Sequence, residues 1–545
     1  MSDPSLMRST SVMASGTFVS RLLGFVRVAL LTGLLGVSGA LAADTFATAN
    51  TVPNQLYNLI AGGLLNAVLV PQIVKATRHP DGGQAFLDRL LTISLLGIGV
   101  VTLVATLLSP LVPVIYQPGH GPGWDPSTMA LAVAFAYWCL PQVFFYGLYT
   151  VLGQVLNARG RFGAYMWAPV ANNVVAIAGL IVMFYWIGGF NKITNPHPPS
   201  SWTAGQIAVL AGSATLGVVV QALVVMIPLR RMGFRYRPRW GLRGVGLGGA
   251  GKVAAWTFAS ALMGSLGFIV TVKAANSAGT QGGPGQNAYG SAFLLFMLPH
   301  SLITVSLVTA LFTRMSHAAA EKNTAAVRRD LSVGLRLTGV ASVLALVGML
   351  AVGDELTRVL FFKNSANETF AIAAAATAMM LGLVSFSAQY LFQRAFYAYQ
   401  DARTPFLIQI PVVVVIALTS YLSARELNPR HVVIGIGVGM SVGYTIGAVQ
   451  SAVILRRRLH GLDGARVLRT YVRLVCAGLP AVAVGQGVSL LVHATLGHSV
   501  LASLVALIVG GGLVVAVYVL VLRLLRVAEL DELAEPLLRR VRSRR

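Results

Sequence analysis

Apolar stretches of about twenty residues, each long enough to cross the hydrocarbon core of a bilayer, recur along the whole of this chain. They fall near residues 11–36, 44–74, 90–115, 128–157, 164–188, 205–229, 251–272, 288–313, 332–352, 371–397, 405–424, 431–455, 469–493 and 498–522. Lipid offers an exposed backbone no hydrogen bonds, so stretches of this length span it as helices. The pattern predicts an all-α polytopic membrane protein with about fourteen transmembrane helices. Composition agrees, since only 11% of the 545 residues are charged, roughly half the share in a soluble domain. Ala40-Leu41-Ala42 has the small residues of a leader cleavage site. The stretch before it is too long for a leader and is interrupted by Arg21 and Arg27, so it is expected to be the first helix of the mature protein.

A net charge of +24 would, in a soluble chain, point to nucleic acid. Its distribution points elsewhere. With a cytoplasmic N-terminus and fourteen crossings, 33 of the 41 Lys and Arg fall on the cytoplasmic side, six outside and two (Arg21 and Arg27) within helix 1. A missed crossing would scramble this alternation, so the bias predicts both termini in the cytoplasm. The segment Arg230–Arg243 mixes basic and aromatic residues as single-strand binders do, but its place between two helices makes it a loop resting on anionic headgroups. Anionic membrane lipids are the expected partner, and nucleic acid is not. Cys139 and Cys476 lie in separate apolar runs and are expected to be free.

The sequence is also internally duplicated. Leu156–Phe162 is followed by Pro169, eight residues after Arg161; Tyr399–Pro405 is followed by Pro411, eight residues after Arg403. Each joins one helix to the next through a short basic turn, 242 residues apart. An even number of helices separates them, which predicts two six-helix lobes as parallel pseudo-repeats around a central cavity, plus two extra C-terminal helices. The expected division is residues 1–229 for the first lobe and 230–250 for a basic cytoplasmic linker. Residues 251–455 form the second lobe, 456–522 hold helices 13 and 14, and 523–545 form a basic cytoplasmic tail.

Function is expected where polarity enters lipid. A mid-membrane Arg costs about 2.5–3.5 kcal/mol, which argues that Arg21 or Arg27 faces a water-filled cavity; an Arg that snorkels to the interface is the plainer alternative. In helix 2, Asn50, Asn54 and Asn58 share a face at i, i+4, i+8 spacing. They line a cavity or bond neighbouring helices. Asp44 opens that helix as an N-cap or as a counter-ion to the arginines. No other carboxylate lies near a membrane interior, so the acid that a proton- or sodium-coupled exporter needs is missing. No HExxH, P-loop, paired carboxylates or Cys–His cluster suggests an enzyme, a cofactor or a metal. Two guanidinium groups suit a phosphorylated anion. An organic-cation pump would want acidic walls, and a prenyl-phosphate transferase would need Mg²⁺ ligands that Asp81, Asp88, Asp401 and Asp463 are not spaced to supply.

Ser20–Arg27, Ala43–Phe46, Val52-Pro53-Asn54, Gly63, Val70-Pro71, Leu298-Pro299 and the two basic turns resemble the MurJ/MviN family of lipid II flippases, part of the multidrug/oligosaccharidyl-lipid/polysaccharide exporter superfamily. The resemblance spans essentially the whole chain. It implies an alternating-access carrier, not an enzyme, in the bacterial inner membrane. Its cargo would be an undecaprenyl-type diphosphate bearing a disaccharide-pentapeptide, with no cofactor. It also implies that Arg21, Arg27 and Asp44 belong to the central cavity and that helices 13 and 14 form a groove for the lipid tail. The departures mark a divergent, actinobacterial-type member. Tyr57-Asn58 stands for the family's Arg pair, and Gly62, Val28 and Leu294 replace further charges. Lys252 and Lys273 are candidate replacements. Export of another polyprenyl-linked polysaccharide, or a non-transporting scaffold for wall-synthesis proteins, stays open at this point.

Overall fold

The computed structural model describes residues 4–60, 84–159, 161–189, 198–234, 236–240 and 251–530. Lys75, Arg78, Gly62, Gly63, Val70-Pro71, Arg243 and the tail beyond residue 530 therefore lie outside the described residues. So does the second half of the expected helix 2.

The described residues are helical, with one isolated antiparallel bridge between Ser38 and Pro284. By contact the chain divides into two units, Met1–Asn287 and Ala288–Arg545. The first holds α1 (Pro4–Leu35), α2 (Leu41–Ile60), α3 (Gln84–Leu107), α4 (Leu111–Tyr116), α5 (Pro126–Cys139), α6 (Gln142–Ala158), α7 (Phe162–Ile187), α8 (Ala204–Arg231) and α9 (Gly251–Thr280). Helix α10 (Gln286–Pro299) starts in the first unit. A π-helical turn, His300–Thr304, follows it. The second unit continues with α11 (Val305–Ala320), α12 (Thr324–Leu360), α13 (Ala366–Met380), α14 (Leu383–Ala398), α15 (Arg403–Glu426), α16 (Val432–Arg458), α17 (Gly464–Leu496) and α18 (Val500–Leu524).

Twelve described helices are long and apolar enough to cross a membrane, or thirteen if the pair α13 and α14, bent by 45°, counts as one span. Expected helix 2 is described only as far as Ile60, so fourteen remains an expectation. Helix starts carry their signals. Asp125 accepts from the Ser127 and Thr128 amides ahead of α5, and Pro126 takes the first position, where no amide hydrogen is needed. Thr203 with Gln206, and Ser365 with Glu368, close reciprocal capping boxes. Expected boundaries moved at three places. The third span stops at Leu107 because Pro110 and Pro113 break it into the short α4. The seventh runs on to Thr280, leaving only Gln281–Gly285 of the expected external loop. The ninth covers Thr324–Leu360.

In the first unit, α1 packs along α7, α7 along α8, and α2 against α5 and α9. Helix α9, expected in the second repeat, thus has its contacts in the first unit. One apolar cluster centres on Leu34, Phe46 and Phe135, and another on Leu87, Leu156 and Val225. In the second unit α15 packs on α16, and α17 and α18 lie together against α12. Both halves carry a span broken at the same place, at Leu140-Pro141 and at Leu381-Gly382, 241 residues apart. The turn after α14 is fixed by Asp401. Its carboxylate accepts from the Thr404 amide at 3.0 Å and from Arg458 at 3.0 Å.

Chain beyond the last span folds back. Glu529, expected in a free basic tail, forms a buried ion pair with Arg336 of α12, both groups about 5% exposed or less. Removing one partner strands the other charge in a dry site, so Arg336→Met is expected to cost about 3–5 kcal/mol. Arg336→Met combined with Glu529→Leu is expected to recover most of that loss. Thermal unfolding in detergent measures both, and an unchanged Tm in the single variant would show that the pair holds nothing.

Candidate functional site

Helix α1 divides into two faces. Phe18, Leu22 and Val26, at i, i+4, i+8, are 61%, 56% and 41% exposed and form an apolar stripe suited to lipid. Arg21 and Arg27 lie away from it. On a helical wheel they are roughly 120° apart with Gly24 between them, and Gly24 points about 160° from Leu22. A methyl group added at Gly24 would meet no atom within 4 Å. The arc between the two arginines therefore looks onto open space on the side away from the lipid stripe. Helix α7 fixes the rotation of α1. Asn173 Nδ2 donates to the Ser20 carbonyl at 2.9 Å, and Trp167 packs over Gly16.

Arg27 is half-buried and lies within electrostatic reach of the Tyr146 hydroxyl and the Cys139 thiol. Among the described residues no carboxylate pairs with Arg21 or Arg27. Each is thus a cation whose neighbours are neutral, the state in which a guanidinium keeps its capacity for an incoming anion.

The asparagine face of α2 meets a matching face on α6. Gln142, Tyr146 and Thr150 follow the same i, i+4, i+8 spacing as Asn50, Asn54 and Asn58. Gln142 Nε2 donates to Asn50 Oδ1 at 3.1 Å, Asn54 is in hydrogen-bonding reach of Tyr146, and Tyr57 and Thr150 share a 2.5 Å hydroxyl contact. Asn50 is therefore partly spent on a neighbouring helix, while Asn54 and Asn58 are exposed. Tyr57, standing where the resemblance leads to an arginine, is tied to α6 and its ring lies tilted against that of Tyr146, 5.6 Å between centroids. Sequence reading passed over Gln142, Tyr146 and Thr150. Their four-residue spacing, directly after the Pro141 break, is the signal that marks them.

Asp44 does something other than pair with an arginine. It is 1% exposed, and its Oδ1 accepts the Asn287 amide at 2.8 Å. That amide belongs to the first turn of α10, so the carboxylate caps a helix distant in sequence and sits at its positive end. Gly279 and Gly285 crowd against the same carboxylate and leave no room for side chains of their own. Around it the 36–40 turn and the 281–287 turn are stitched together. Gly39 donates to the Gly283 carbonyl at 2.9 Å, and Asn287 Nδ2 to the Gly36 carbonyl at 2.7 Å. Asn276 reaches the Tyr116 carbonyl at 2.8 Å, and the Gly119 amide donates to the Ser277 hydroxyl at 2.9 Å. The result is a knot of three connections closed at one end of the first unit. Lys273 lays its side-chain stem beside Gly119 at this knot, and nothing is described of the Lys252 side chain. Leu294 and Pro299 fall in α10, and Cys139 and Cys476 are free.

Comparisons with known proteins give one consistent result. The sequence model of the family described as "Lipid II flippase MurJ" matches residues 32–510. A lipid II flippase MurJ of Burkholderia cenocepacia is 26% identical over 483 residues, covering 87% of this chain and 88% of its own. A probable lipid II flippase MurJ of Thermotoga maritima is 23% identical over 539 residues, covering 97% and 98%. Among solved structures, lipid II flippase MurJ in an inward closed conformation superposes with a TM-score of 0.70 at 17% identity, covering 94% of this chain and 99% of its own. A MATE-family multidrug transporter in an inward-facing conformation reaches 0.64 at 16% identity, covering 82% and 96%. These structural likenesses show an all-helical fold shared with both.

The open arc on α1 is testable by thiol chemistry in a Cys139→Ser/Cys476→Ser background. Gly24→Cys is expected to react with a hydrophilic, membrane-impermeant thiol reagent at least about tenfold faster than Leu22→Cys, because thiolate forms only in water. Equal rates would place both faces in the same environment and remove the case for a cavity.

Proposed function

We propose, from the premise that this chain belongs to the lipid II flippase MurJ family, that it carries lipid II from the inner to the outer leaflet of the bacterial inner membrane by alternating access. One observation carries the mechanism: Arg21 and Arg27 flank an open arc of α1 and have no described carboxylate partner, so the arc is positioned to take the diphosphate. Asn54, Asn58 and Tyr146 beside it offer neutral hydrogen-bonding groups to the rest of the headgroup, and Asn50 and Gln142 brace the two helices that present them.

In this reading both termini are cytoplasmic, the cargo site opens alternately to the two faces of the membrane, and residues 456–522 receive the prenyl tail. The knot around Asp44 is the outer closure. Its carboxylate holds the start of α10 against the 36–40 turn, and that bond breaks when the site opens outward. Basic loops such as Arg230–Arg243 rest on anionic lipid. An inside-negative potential supplies about 2.3 kcal/mol per charge per 100 mV. A diphosphate with roughly two charges is thus driven outward by about 5 kcal/mol per 100 mV, and the emptied cationic site is drawn back. No coupling carboxylate is required. Export of another polyprenyl-linked glycan is disfavoured by the family, and the cationic arc argues against a merely scaffolding role.

Depletion in a native host, with lipid II labelled on the outer face, tests this. Outer-face lipid II is expected to fall severalfold as the inner pool rises, and well-expressed Arg27→Ala is expected not to restore it. Full restoration by Arg27→Ala would remove the arginine from the mechanism, and unchanged outer-face lipid II would point to another cargo. Dissipating the potential in vesicles while keeping ion gradients is expected to slow transport; an unchanged rate rejects this energy source.

A further inference from the structure

The second unit contains a cavity of about 180 Å³ between α14, α15 and α16 that the mechanism above does not use. Phe386, Gln389, Tyr390 and Gln393, at i, i+3, i+4, i+7, line it from one face of α14. Gln409 of α15 and Tyr444 of α16 face them.

Its wall differs from a packed core in three respects. The first is unused hydrogen-bonding capacity. Gln393 donates to the Tyr397 hydroxyl at 3.2 Å, but the Gln389 and Gln409 amides and the Tyr444 hydroxyl make no hydrogen bond with any described residue. Amides inside a helical bundle ordinarily bond a neighbouring helix. Two amides and a hydroxyl around one half-open cavity keep their hydrogen-bonding capacity for whatever enters it. The second is aromatic surface. The Phe386 ring lies 4.6 Å from that of Tyr444 and 4.4 Å from that of His300. The third is irregular backbone. The 45° break between α13 and α14 comes just before Phe386, and the π-helical turn supplies His300 behind it. Within a membrane such irregularity survives where it is buried in protein or lines a cavity, and π turns gather at functional sites.

The chemistry narrows the occupant. No ionised side chain lines the cavity, so an anion has no partner there. Arg394, one turn along α14, is engaged with Tyr390: it stacks on the ring at 4.8 Å and donates to the hydroxyl at 2.8 Å. A hydrocarbon tail would leave the amides unmatched. A pyranose ring fits both halves of the wall, because its C–H faces lie on aromatic rings while its rim hydroxyls and acetamido group pair with amides. The volume suits one such ring.

We infer that this cavity is a sugar subsite that takes an N-acetylhexosamine ring of the cargo, an inference that rests on the lipid II reading above. The full-length protein in nanodiscs is titrated with bare polyprenyl diphosphate, with polyprenyl diphosphate carrying one N-acetylhexosamine, and with lipid II. The wild type is expected to bind the monosaccharide lipid about tenfold more tightly than the bare lipid, one sugar's worth of matched amides. Gln389→Leu/Gln409→Leu is expected to abolish that preference. A wild type without the preference, or a double variant that keeps it, overturns the subsite. So does a double variant that weakens lipid II alone, since the occupant would then be the peptide. A wild type that fails to bind lipid II yet prefers the monosaccharide lipid overturns the cargo reading and supports the sugar site. If the double variant binds none of the three, Tyr444→Phe decides: a preference reduced at least threefold supports the subsite, and an unchanged one overturns it.

Discussion

Hydrocarbon supplies no partner for a backbone amide, so in a chain like this each departure from a straight helix has to be satisfied by the protein itself. That requirement locates the working parts. The breaks at Leu140-Pro141 and Leu381-Gly382 occur at matching points of the two halves, and each is followed at once by the polar and aromatic face of a half-helix: Gln142, Tyr146 and Thr150 in one, Phe386, Gln389, Tyr390 and Gln393 in the other. The short connection at Gln281–Gly285 is held to the 36–40 turn by backbone bonds, the Gly39 amide to the Gly283 carbonyl and the Gly285 amide to the Val37 carbonyl, and the Asp44 carboxylate takes the Asn287 amide just beyond it. A Cβ at position 279 or 285 would collide with the Asp44 carboxylate, so glycine there leaves the carboxylate its place.

Arginine shows the same constraint acting on charge. Arg336 and Arg27 both stand within apolar helices, and the chain resolves their cost in opposite ways. Arg336 is closed off with Glu529 and bonded to the Ser332 carbonyl at 3.1 Å, which neutralises it and makes it part of the scaffold. Arg27 lies within electrostatic reach of the Tyr146 hydroxyl and the Cys139 thiol, pairs with no carboxylate among the described residues, and adjoins the open arc at Gly24. Water in an open site lowers the cost of a bare charge, and in the proposed mechanism the arriving diphosphate displaces that water for charge-assisted bonds. Burial with a partner makes an arginine structural; exposure to a cavity without one leaves it available.

Much of this was legible in the sequence because period and length survive any tertiary arrangement. The spans, the two basic turns and the asparagine stripe of α2 are all local patterns, and the residues of the arginine arc were named from their cost in lipid alone. What escaped was pairing across helices. Asp44 looked like the cap of its own helix or a counter-ion to Arg21 and Arg27, because the chain gives no local sign that the start of α10, more than two hundred residues away, lies against it. Glu529 looked like part of a solvated tail for the same reason. The span ends at Leu107 and Thr280 differed because a proline pair ended one helix, while Asn276 and Ser277 found tertiary partners that let the other continue.

A membrane potential acts on charge and ignores neutral groups, and this separates the roles of the two polar regions. In the proposed mechanism the arginine arc of the first unit gains and loses an anion, so its equilibrium between inner and outer access shifts with voltage by several kcal/mol. The amide and aromatic cavity of the second unit contributes nothing to that shift, and its hydrogen bonds hold equally well at any potential. A carrier built from both draws its direction from the charged site and its selectivity from the neutral one. In the proposed sugar subsite, discrimination comes from amides that only a ring with matching polar groups would pair. On the proposed division of roles, driving force and recognition rest on separate groups of residues and can change independently.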